Sequence, residues 1–558
     1  MSATPILVSG MHRSGTSLAG SFLAACGVDM GERLIPADEK NPRGYFEDAD
    51  IVAFHGRAFD AACPRATGHR DWGWTEDGEV DAATLVPWAE EAAQLLRDRA
   101  DRARGAFGFK DPRATMALEL WDRVAEDARW VFTYRYPWEV ADSMQRIGAD
   151  VFAENPSYGY RIWAAYNRRV VTFVEAHRER CLLLSTNALA GALGGLPELF
   201  AERLGLDAPD VGLAELFDSG LLTTGAEDDA RAALTGVAYP ECTELLARLD
   251  DLADVSSSGR WSAPTDWSPT EWSAMGEPDV SIVVPTYRDG VFLIEALASV
   301  EQARPANTEL VVVNDGSPDP ETRRIVGALA GRGYSVIERE NGGLSAARNT
   351  GIEASRGRYV LPLDADNRLR RGFVEAAVAR LDADPSIGVV YGDRELFGAA
   401  RGRVDVPDFD FARQLGGNQI DACAVFRREL WDDLGGYDTA MFGLEDWEFW
   451  IHAADRGWSF SHLREVAFDY RVRPGSLLAV CLEPSKRRLL FAHLLEKHVE
   501  LLHRHVPSPI RAASFLLGLV GLRSRRLRRW EARSFWRPFW WLMGPGGVFD
   551  ARGRTDHG

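Results

Sequence analysis

Residues suited to binding anions or metal ions occur in two groups, and the first lies near the N-terminus. The segment SGMHRSGTS (Ser9–Ser17) follows the short apolar run PILVS and precedes a predicted helix. Gly10 and Gly15 permit tight backbone turns. The amides that follow would converge at the helix N-terminus, which favours a phosphate-like anion. The predicted anion ligands are Arg13, Ser14, Gly15, Thr16 and Ser17.

The spacing of this loop imitates the Walker A phosphate-binding loop, in which a lysine precedes Ser or Thr. Thr16 occupies the lysine position here. That change argues against a nucleotide kinase or NTPase, because the lysine contacts the β- and γ-phosphates. A glycine-containing turn between a strand and a helix, with no ligand, is the structural alternative.

Three further segments place cations, acids and a hydroxyl group in suitable positions. They are NPRGYFED (Asn41–Asp48), FKDPR (Phe109–Arg113) and RYPWEVADS (Arg135–Ser143). In the last segment, Arg135 ends a predicted strand, and Ser143 lies two turns into a helix that begins at a proline. Arg135 and Ser143 can therefore meet around one phosphate.

The order of these four segments resembles the sulfotransferase family over about residues 4–184. The resemblance implies a P-loop-like α/β domain with 3′-phosphoadenosine-5′-phosphosulfate as the donor. The loop from Arg13 to Ser17 would then hold the 5′-phosphosulfate, and Arg135 with Ser143 would hold the 3′-phosphate. No metal would be needed, because amides and cations compensate the charge.

Sulfuryl transfer to a hydroxyl or amine needs a base for the acceptor's proton and cations for the bridging oxygen. Glu47 is the first candidate for the base and Asp48 the second. Lys110 is a candidate contact of the sulfuryl group. The structural alternatives are a surface acid at a helix start for Glu47 and a salt bridge to Asp111 for Lys110.

The second group of residues lies in the C-terminal half, at the ends of predicted strands. Asp315 follows a valine-rich strand, where an acid can accept a hydrogen bond from an imide or a ribose hydroxyl. Asp364 and Asp366 flank one residue and can hold Mg²⁺ or Mn²⁺ on a diphosphate. The candidate donor-binding residues are Pro285, Thr286, Tyr287, Asp315, Arg348, Asp364 and Asp366.

The segment GLEDWEFW (Gly443–Trp450) presents Glu445 and Asp446 at a predicted helix start. A carboxylate in this position can deprotonate an acceptor hydroxyl. The alternative is an acid that complements the helix macrodipole and has no catalytic part.

Together, VSIVVPTY, NDGS, GGLSAARNTGI, DADN, GGYD and EDWEFW resemble family 2 glycosyltransferases over about residues 279–476. The resemblance implies one nucleotide-binding α/β domain of the GT-A type, a nucleotide-sugar donor, a divalent metal and inversion at the anomeric carbon. It implies that Asp315 binds the nucleoside and that Asp446 is the base. Asp364 and Asp366 would serve the diphosphate and the metal.

The sequence departs from this family at Arg473, where many relatives have a histidine. If that histidine is a metal ligand, the ligand is absent here. Metal affinity would then be lower, or Arg473 would hold the diphosphate directly. His452 is a candidate replacement ligand, although a lone helix histidine is more often structural.

The elements that must position these residues alternate between strands and helices. Apolar runs that end in polar residues and lead into helices predict parallel strands buried on both faces. Both halves are therefore predicted to be α/β, with ligands at the carboxyl ends of strands. The predicted domains are a sulfotransferase-like domain (1–253), a linker (254–278), a glycosyltransferase domain (279–480) and a basic amphipathic helical tail (481–558).

The charge of the 558-residue chain is unevenly distributed. The net charge of −19 argues against a nucleic-acid partner. Residues 485–558 nevertheless hold 15 Lys and Arg against 5 Asp and Glu. This tail interleaves arginine with tryptophan and phenylalanine, a pattern that suits peripheral contact with an anionic membrane. A helix packed on the acidic body is the alternative.

The sequence predicts a cytoplasmic enzyme, peripheral at the inner face of the cell membrane if the tail binds lipid. The low cysteine content and the absence of a signal-peptide pattern favour that location. The predicted function is bifunctional: glycosyl transfer to a glycan or lipid-linked glycan acceptor, and sulfuryl transfer to a hydroxyl. The alternative is a glycosyltransferase whose N-terminal half is a non-catalytic binding module.

Overall fold

A computed structural model of the chain describes residues 4–501 apart from 39–40, 42, 64–69, 76, 147–150, 153–154, 208, 210–211, 217–228, 258–276, 304, 474, 482 and 499. The chain divides into two compact units, Met1–Trp267 and Ser268–Gly558. Most of the predicted linker and most of the predicted tail lie outside the described residues.

The first unit is built on a small parallel sheet. Its described strands are β1 Ile6–Gly10, β2 Trp74–Thr75, β3 Gly78–Glu79, β4 Gly108–Lys110, β5 Arg129–Tyr134 and β6 Cys181–Ser185. Four of them form a sheet in the order β4-β1-β5-β6 with parallel pairing throughout. Strands β1 and β6 are buried along their whole length, as strands covered by helices on both faces must be.

Helices cover this sheet. They are α1 Thr16–Ala25, α2 Ala49–Ala62, α3 Ala89–Arg102, α4 Leu118–Val124, α5 Pro137–Gln145, α6 Tyr158–Ala176, α7 Leu189–Ala192, α8 Leu196–Leu204, α9 Leu213–Leu216, α10 Asp229–Ala238 and α11 Pro240–Leu252. Val8, Phe22, Val131 and Leu184 are buried in one hydrophobic cluster that joins α1 to the sheet. The β1–α1 connection is thereby fixed against the sheet.

The second unit contains a larger, mixed sheet. Its described strands are β7 Val280–Thr286, β8 Thr308–Asp315, β9 Ser335–Arg339, β10 Tyr359–Pro362, β11 Arg368–Leu369, β12 Ile387–Gly398, β13 Gly402–Val404, β14 Val425–Arg427 and β15 Ser459–Val472. The order is β11-β15-β12-β14-β10-β7-β8-β9, and β13 pairs with β12. Strands β10, β7, β8 and β9 are parallel, so their carboxyl ends meet at one edge.

The described helices of this unit are α12 Gly290–Ala303, α13 Pro320–Gly331, α14 Leu344–Ala354, α15 Phe373–Ala383, α16 Phe411–Gly416, α17 Arg428–Leu434, α18 Glu445–Asp455, α19 Leu477–Cys481 and α20 Pro484–Lys497. Val283, Val313, Phe426 and Trp450 are buried in one core, which packs α18 against the sheet. The predicted α/β class is confirmed in both units. The four-stranded sheet of the first unit is parallel as expected, whereas in the second unit β14, which lies between β10 and β12, is antiparallel to both.

Two segments next to the predicted domain borders pack within a unit. Asp254, placed by the sequence in the linker, accepts a hydrogen bond from Arg178 Nη2 at 2.8 Å. Val255 accepts one from the Ser185 amide at 2.8 Å. Helix α20, placed by the sequence in the tail, buries Phe491 in a cluster with Trp447 of α18. None of the described helices combines the length and apolar character needed to cross a membrane.

Candidate functional site

The turn between β1 and α1 in the first unit has a strained, closely packed backbone. Arg13 (φ 67°) and Gly15 (φ 88°) both lie in the left-handed region, which costs a residue other than glycine free energy. A Cβ atom on Gly15 would lie 2.3 Å from Thr186 Oγ1. Thr186 Oγ1 also donates to the Ser14 carbonyl at 2.6 Å. Thr186, which the sequence did not indicate, therefore fixes the shape of this loop.

Two arginines and a hydroxyl converge beside the loop. Arg13 Nε donates to Ser143 Oγ at 2.8 Å. Burial lowers the pKa of Arg13, and the neighbouring guanidinium of Arg135 lowers it further. Arg135 Nε lies 2.5 Å from Glu139 Oε2, which also accepts from Asn187 at 3.0 Å. The structure thus brings Arg135 and Ser143 together with the loop.

Glu47 lies between cations in the same unit. Lys110 Nζ is 2.6 Å from Glu47 Oε1, and Arg113 Nη1 is 3.5 Å from the other carboxylate oxygen. Lys110 also donates to Ser17 Oγ at 3.3 Å. Glu47 is buried. The alternative interpretation of Glu47 as a surface acid at a helix start is therefore wrong. The structure places Glu47, Lys110 and the β1–α1 turn side by side.

Two other acids near the loop have structural partners. Asp48 caps α2 by accepting from the Asp50 amide at 2.8 Å, and it pairs with Arg99 at 2.8 Å. Asp111 pairs with Arg113 and with His55 at 2.8 Å, so the alternative of a Lys110–Asp111 salt bridge is wrong. Burial raises the pKa of Asp111, but Arg113 and His55 lower it to well below its usual range.

The second unit holds its acidic candidates around one buried arginine. Arg348 Nη2 is 2.6 Å from Asp364 Oδ1, and Nη1 pairs with Glu445. Arg348 is 1% exposed. Burial lowers the pKa of Arg348, but Asp364 and Glu445 raise it well above its usual value. Arg348 therefore connects the end of the β10 segment to the helix that carries Asp446.

Asp366 faces a second arginine. Arg473 Nε donates to Asp366 Oδ2 at 2.8 Å, and its Nη2 donates to Asp289 Oδ1 at 2.6 Å. Burial raises the pKa of Asp289, and Arg473 opposes that shift. The residue that departs from the family pattern thus contacts the predicted metal ligand directly.

Asp446 lies in the first turn of α18, behind a strained residue. Leu444, the residue before that helix, has φ 58°. Asn418 Nδ2 donates to Asp446 Oδ2 at 2.7 Å. Burial, followed by the charges of Glu445 and Asp421, raises the pKa of Asp446 to about 8. A carboxylate with a raised pKa suits proton abstraction near neutral pH.

The nucleoside candidates lie at the ends of β7 and β8. Asp315 accepts hydrogen bonds from the Gly342 and Gly343 amides at 3.0 and 2.8 Å, and it pairs with Arg339. Its carboxylate therefore orders the loop before α14. In the β7 segment, Pro285 and Thr286 end the strand, and Tyr287 follows it as an exposed side chain. The Thr286 hydroxyl is buried without a hydrogen-bond partner among the described residues.

The predicted metal ligands Asp364 and Asp366 each pair with an arginine, Arg348 and Arg473 respectively. Carboxylate oxygens suit Mg²⁺ or Mn²⁺, and Mg²⁺ is usually held by one or two carboxylates together with phosphates and water. In the described part of the chain, no group of three or more His, Cys, Asp and Glu side chains could hold a metal. His452, the suggested replacement ligand, contacts His498, with ring centroids 6.0 Å apart.

Two residues of this site, Asn418 and Asp421, were missed by the sequence prediction. Both lie between α16 and β14, in the segment GGNQIDAC. The available signal was a polar stretch before a buried strand, which is typical of any loop. Their place beside Asp446 depends on tertiary packing.

Comparisons with known proteins identify one matching family model and several similar proteins. Residues 281–435 match a family model described as Glycosyl transferase family 2. The uncharacterized protein y4gI of Sinorhizobium fredii is 31% identical over 211 residues, which cover 36% of this chain and 23% of that protein. Glycosyltransferase GlyA of Streptococcus pneumoniae is 35% identical over 124 residues, covering 21% of this chain and 18% of GlyA. The chain thus spans about a quarter or less of these relatives.

Solved structures include a further similar protein. The crystal structure of S. aureus TarS 1-349 in complex with UDP-GlcNAc is 20% identical, with a TM-score of 0.32, over 45% of this chain and 83% of that one. The predicted similarity of the C-terminal half to family 2 glycosyltransferases is supported over residues 281–435, which match that family model. The matched residues contain Asp315, Arg348 and the Asp364–Asp366 pair, and they end before Asp446.

Proposed function

We propose that the second unit transfers a glycosyl group from a nucleotide-sugar to a hydroxyl of a glycan or lipid-linked glycan. One observation carries this proposal: buried Arg348 pairs with both Asp364 and Glu445. It thereby brings the Asp364–Asp366 pair and α18, the helix that carries Asp446, into one site. The family match over residues 281–435 supports the same chemistry.

Each group has a part in the proposed transfer. The ends of β7 and β8, with Asp315 ordering the adjoining loop, form the nucleoside end. Asp364 and Asp366 would hold Mg²⁺ or Mn²⁺, which when bound compensates the charge of the departing diphosphate. Asp446 takes the proton of the acceptor hydroxyl as that oxygen bonds to the anomeric carbon. A single displacement of this kind inverts the anomeric configuration.

A transfer assay tests this function directly. The whole protein is incubated with UDP-, GDP- and dTDP-linked hexoses, and release of the nucleoside diphosphate is measured with and without added acceptor glycans. We expect release with one of these donors, its loss in EDTA and its recovery with Mn²⁺. Release that is unaffected by EDTA would contradict the metal role. Release from none of the donors would contradict the function.

We propose a second activity, sulfuryl transfer from 3′-phosphoadenosine-5′-phosphosulfate, for the first unit. The specific observation in favour is the convergence of Arg13, Arg135 and Ser143 beside the β1–α1 turn. In this reaction the sulfur–oxygen bond to the donor phosphate breaks as the acceptor oxygen bonds to sulfur. Glu47 takes the acceptor proton, and Lys110 stabilises the bridging oxygen.

Replacing Arg13 with alanine is expected to weaken binding of this sulfate donor about 10- to 100-fold, because a charged hydrogen bond contributes about 1.5–3 kcal/mol. Isothermal titration calorimetry measures the change. Arg33→Ala, which removes an exposed cation paired with Asp50, is the matched control and should bind as the wild type does. Equal binding by both variants would remove the site assignment. Donor binding without turnover would instead favour a non-catalytic binding module.

We further propose a cytoplasmic location with peripheral membrane contact through residues 502–558, which lie outside the described residues. The basic and aromatic composition of this segment supports the proposal. Because α20 packs on the second unit, a chain that ends at Leu501 keeps that packing. Equal pelleting of the whole and shortened chains with anionic liposomes would exclude membrane contact through the segment.

A further inference from the structure

The loop between α16 and β14, residues 417–424, crosses the proposed glycosyl-transfer site. Asn418 of this loop donates to the Asp446 carboxylate at 2.7 Å. Asp421 lies three residues further on and raises the pKa of Asp446 through its charge, after the larger effects of burial and Glu445. The loop therefore places a second carboxylate beside the proposed base.

Asp421 also lies close to the donor side of the site. Burial raises the pKa of Asp421 to about 6, Arg394 opposes that shift, and the charge of Asp364 adds to it. Arg348, which bridges Asp364 and Glu445, is a neighbouring cation that also opposes the shift. Asp421 thus lies within electrostatic reach of both the diphosphate end, at Asp364, and the base, Asp446.

Most hydrogen-bond acceptor positions of the Asp421 carboxylate have no partner among the described residues. Across the described residues it receives one hydrogen bond, from the Cys423 amide to Oδ1 at 3.1 Å. The residue as a whole is half-buried. A carboxylate oxygen has two acceptor positions, and a sugar offers several hydroxyl donors.

We propose that Asp421 binds one or two hydroxyl groups of the donor sugar and thereby selects the sugar. This inference rests on the proposed glycosyl transfer. In that reaction the sugar must lie between the diphosphate near Asp364 and the acceptor hydroxyl near Asp446, and the loop that carries Asp421 contacts Asp446 through Asn418. Asp446 already serves as the proton acceptor, so the second carboxylate is available for recognition.

The negative charge of Asp421 suits recognition of a sugar hydroxyl group. A hydroxyl that donates to a carboxylate forms a charge-assisted hydrogen bond, which is about twice as strong as a neutral one. A site built around such a bond strongly rejects an analogue that lacks the hydroxyl, because its buried polar group is then left unpaired. Asp421 would therefore discriminate between a sugar and its deoxy analogue.

The test uses the whole protein and calorimetric titration of two ligands. They are the nucleotide-hexose that binds best in a UDP, GDP and dTDP panel, and the corresponding free nucleoside diphosphate. Asp421→Asn, which keeps the shape and removes the charge, should weaken binding of the nucleotide-hexose about tenfold or more. Binding of the free diphosphate should stay at the wild-type level. Asp405→Asn, an exposed acid of the same unit, is the matched control.

Mono-deoxy analogues of that donor test which sugar hydroxyl group Asp421 contacts. The wild type should bind one analogue about tenfold more weakly than the parent, and Asp421→Asn should lose most of that preference. Equal losses for the sugar nucleotide and the free diphosphate would overturn the inference, as would an undiminished preference in the variant. If the wild type binds no nucleotide-sugar, the glycosyl-transfer proposal itself fails, which is a different result.

Discussion

Replacing Asp446 with asparagine is expected to lower glycosyl transfer about 10²- to 10⁴-fold, the usual contribution of a general base. The amide keeps the size of the side chain but cannot take a proton. Binding of the nucleotide-sugar should be unchanged, because the proposed donor contacts lie at Asp364 and Asp366. Steady-state kinetics with the donor and acceptor found in the transfer assay measures the loss.

The pH dependence of the wild type gives the same residue an independent signature. Burial and neighbouring acids raise the pKa of Asp446 to about 8. The carboxylate fraction therefore grows with pH up to that value, and kcat/KM should rise about tenfold per pH unit before levelling off. The asparagine variant should lose this rise along with most of its activity.

The contribution of Asp446 to stability should fall as pH rises, whereas kcat/KM rises. The pKa of Asp446 in the folded protein lies above the ordinary value of about 3.9. Between these two values the folded state binds more protons than the unfolded state, so the contribution of Asp446 to the free energy of unfolding falls as pH rises. Urea unfolding at pH 5 and pH 8 should show a smaller loss for Asp446→Asn than for the wild type.

A matched control separates catalysis from helix stabilisation. Glu429 is also an acid in the first turn of a helix, α17, and is exposed. Glu429→Gln removes only a favourable interaction with the helix macrodipole, about 0.3–1 kcal/mol. If Asp446→Asn kept as much activity as Glu429→Gln, Asp446 would be a helix-start acid and not the base.

The parts of both sites that follow directly from strand ends could be predicted from the sequence. Short apolar runs identified β7, β8 and β10, and the residues at or just after their ends, including Asp315 and Asp364, lie where parallel strands end together. The β1–α1 turn was located in the same way. Local sequence suffices here, because an apolar strand and the turn after it are neighbours along the chain.

The partners of these residues could not be predicted, because they come from distant parts of the chain. Lys110 pairs with Glu47, 63 positions away, although Asp111 is its sequence neighbour. Arg348 reaches Glu445, 97 positions away. The loop with Asn418 and Asp421 carries no periodic pattern that would assign it to the site. Only packing of α16 and α18 brings that loop to Asp446.

Replacing Arg348 with methionine is expected to destabilise the second unit by about 3–5 kcal/mol, the usual result of breaking a buried ion pair from one side. Methionine fills much of the space but leaves Asp364 and buried Glu445 without their cation. Calorimetry of the whole protein should show the unfolding temperature of the second unit lowered by about 10 °C. The unfolding temperature of the first unit should stay unchanged.

A surface pair provides the comparison. Arg324 and Glu321 form an exposed ion pair within α13, and such pairs contribute about 0–1 kcal/mol. Arg324→Met should therefore barely move the transition. Equal shifts for the two methionine variants would mean that Arg348 does not organise this site.

The double variant Arg348→Met with Glu445→Gln tests the cause of the destabilisation. If the loss arises from an uncompensated buried charge, removing the Glu445 charge should restore part of the stability, and the two changes will not be additive. If the loss arises from packing around the arginine, the effects will simply add. Recovery in the double variant would establish that charge balance between Asp364 and Glu445 of α18, rather than shape alone, holds the two halves of the proposed glycosyl-transfer site together.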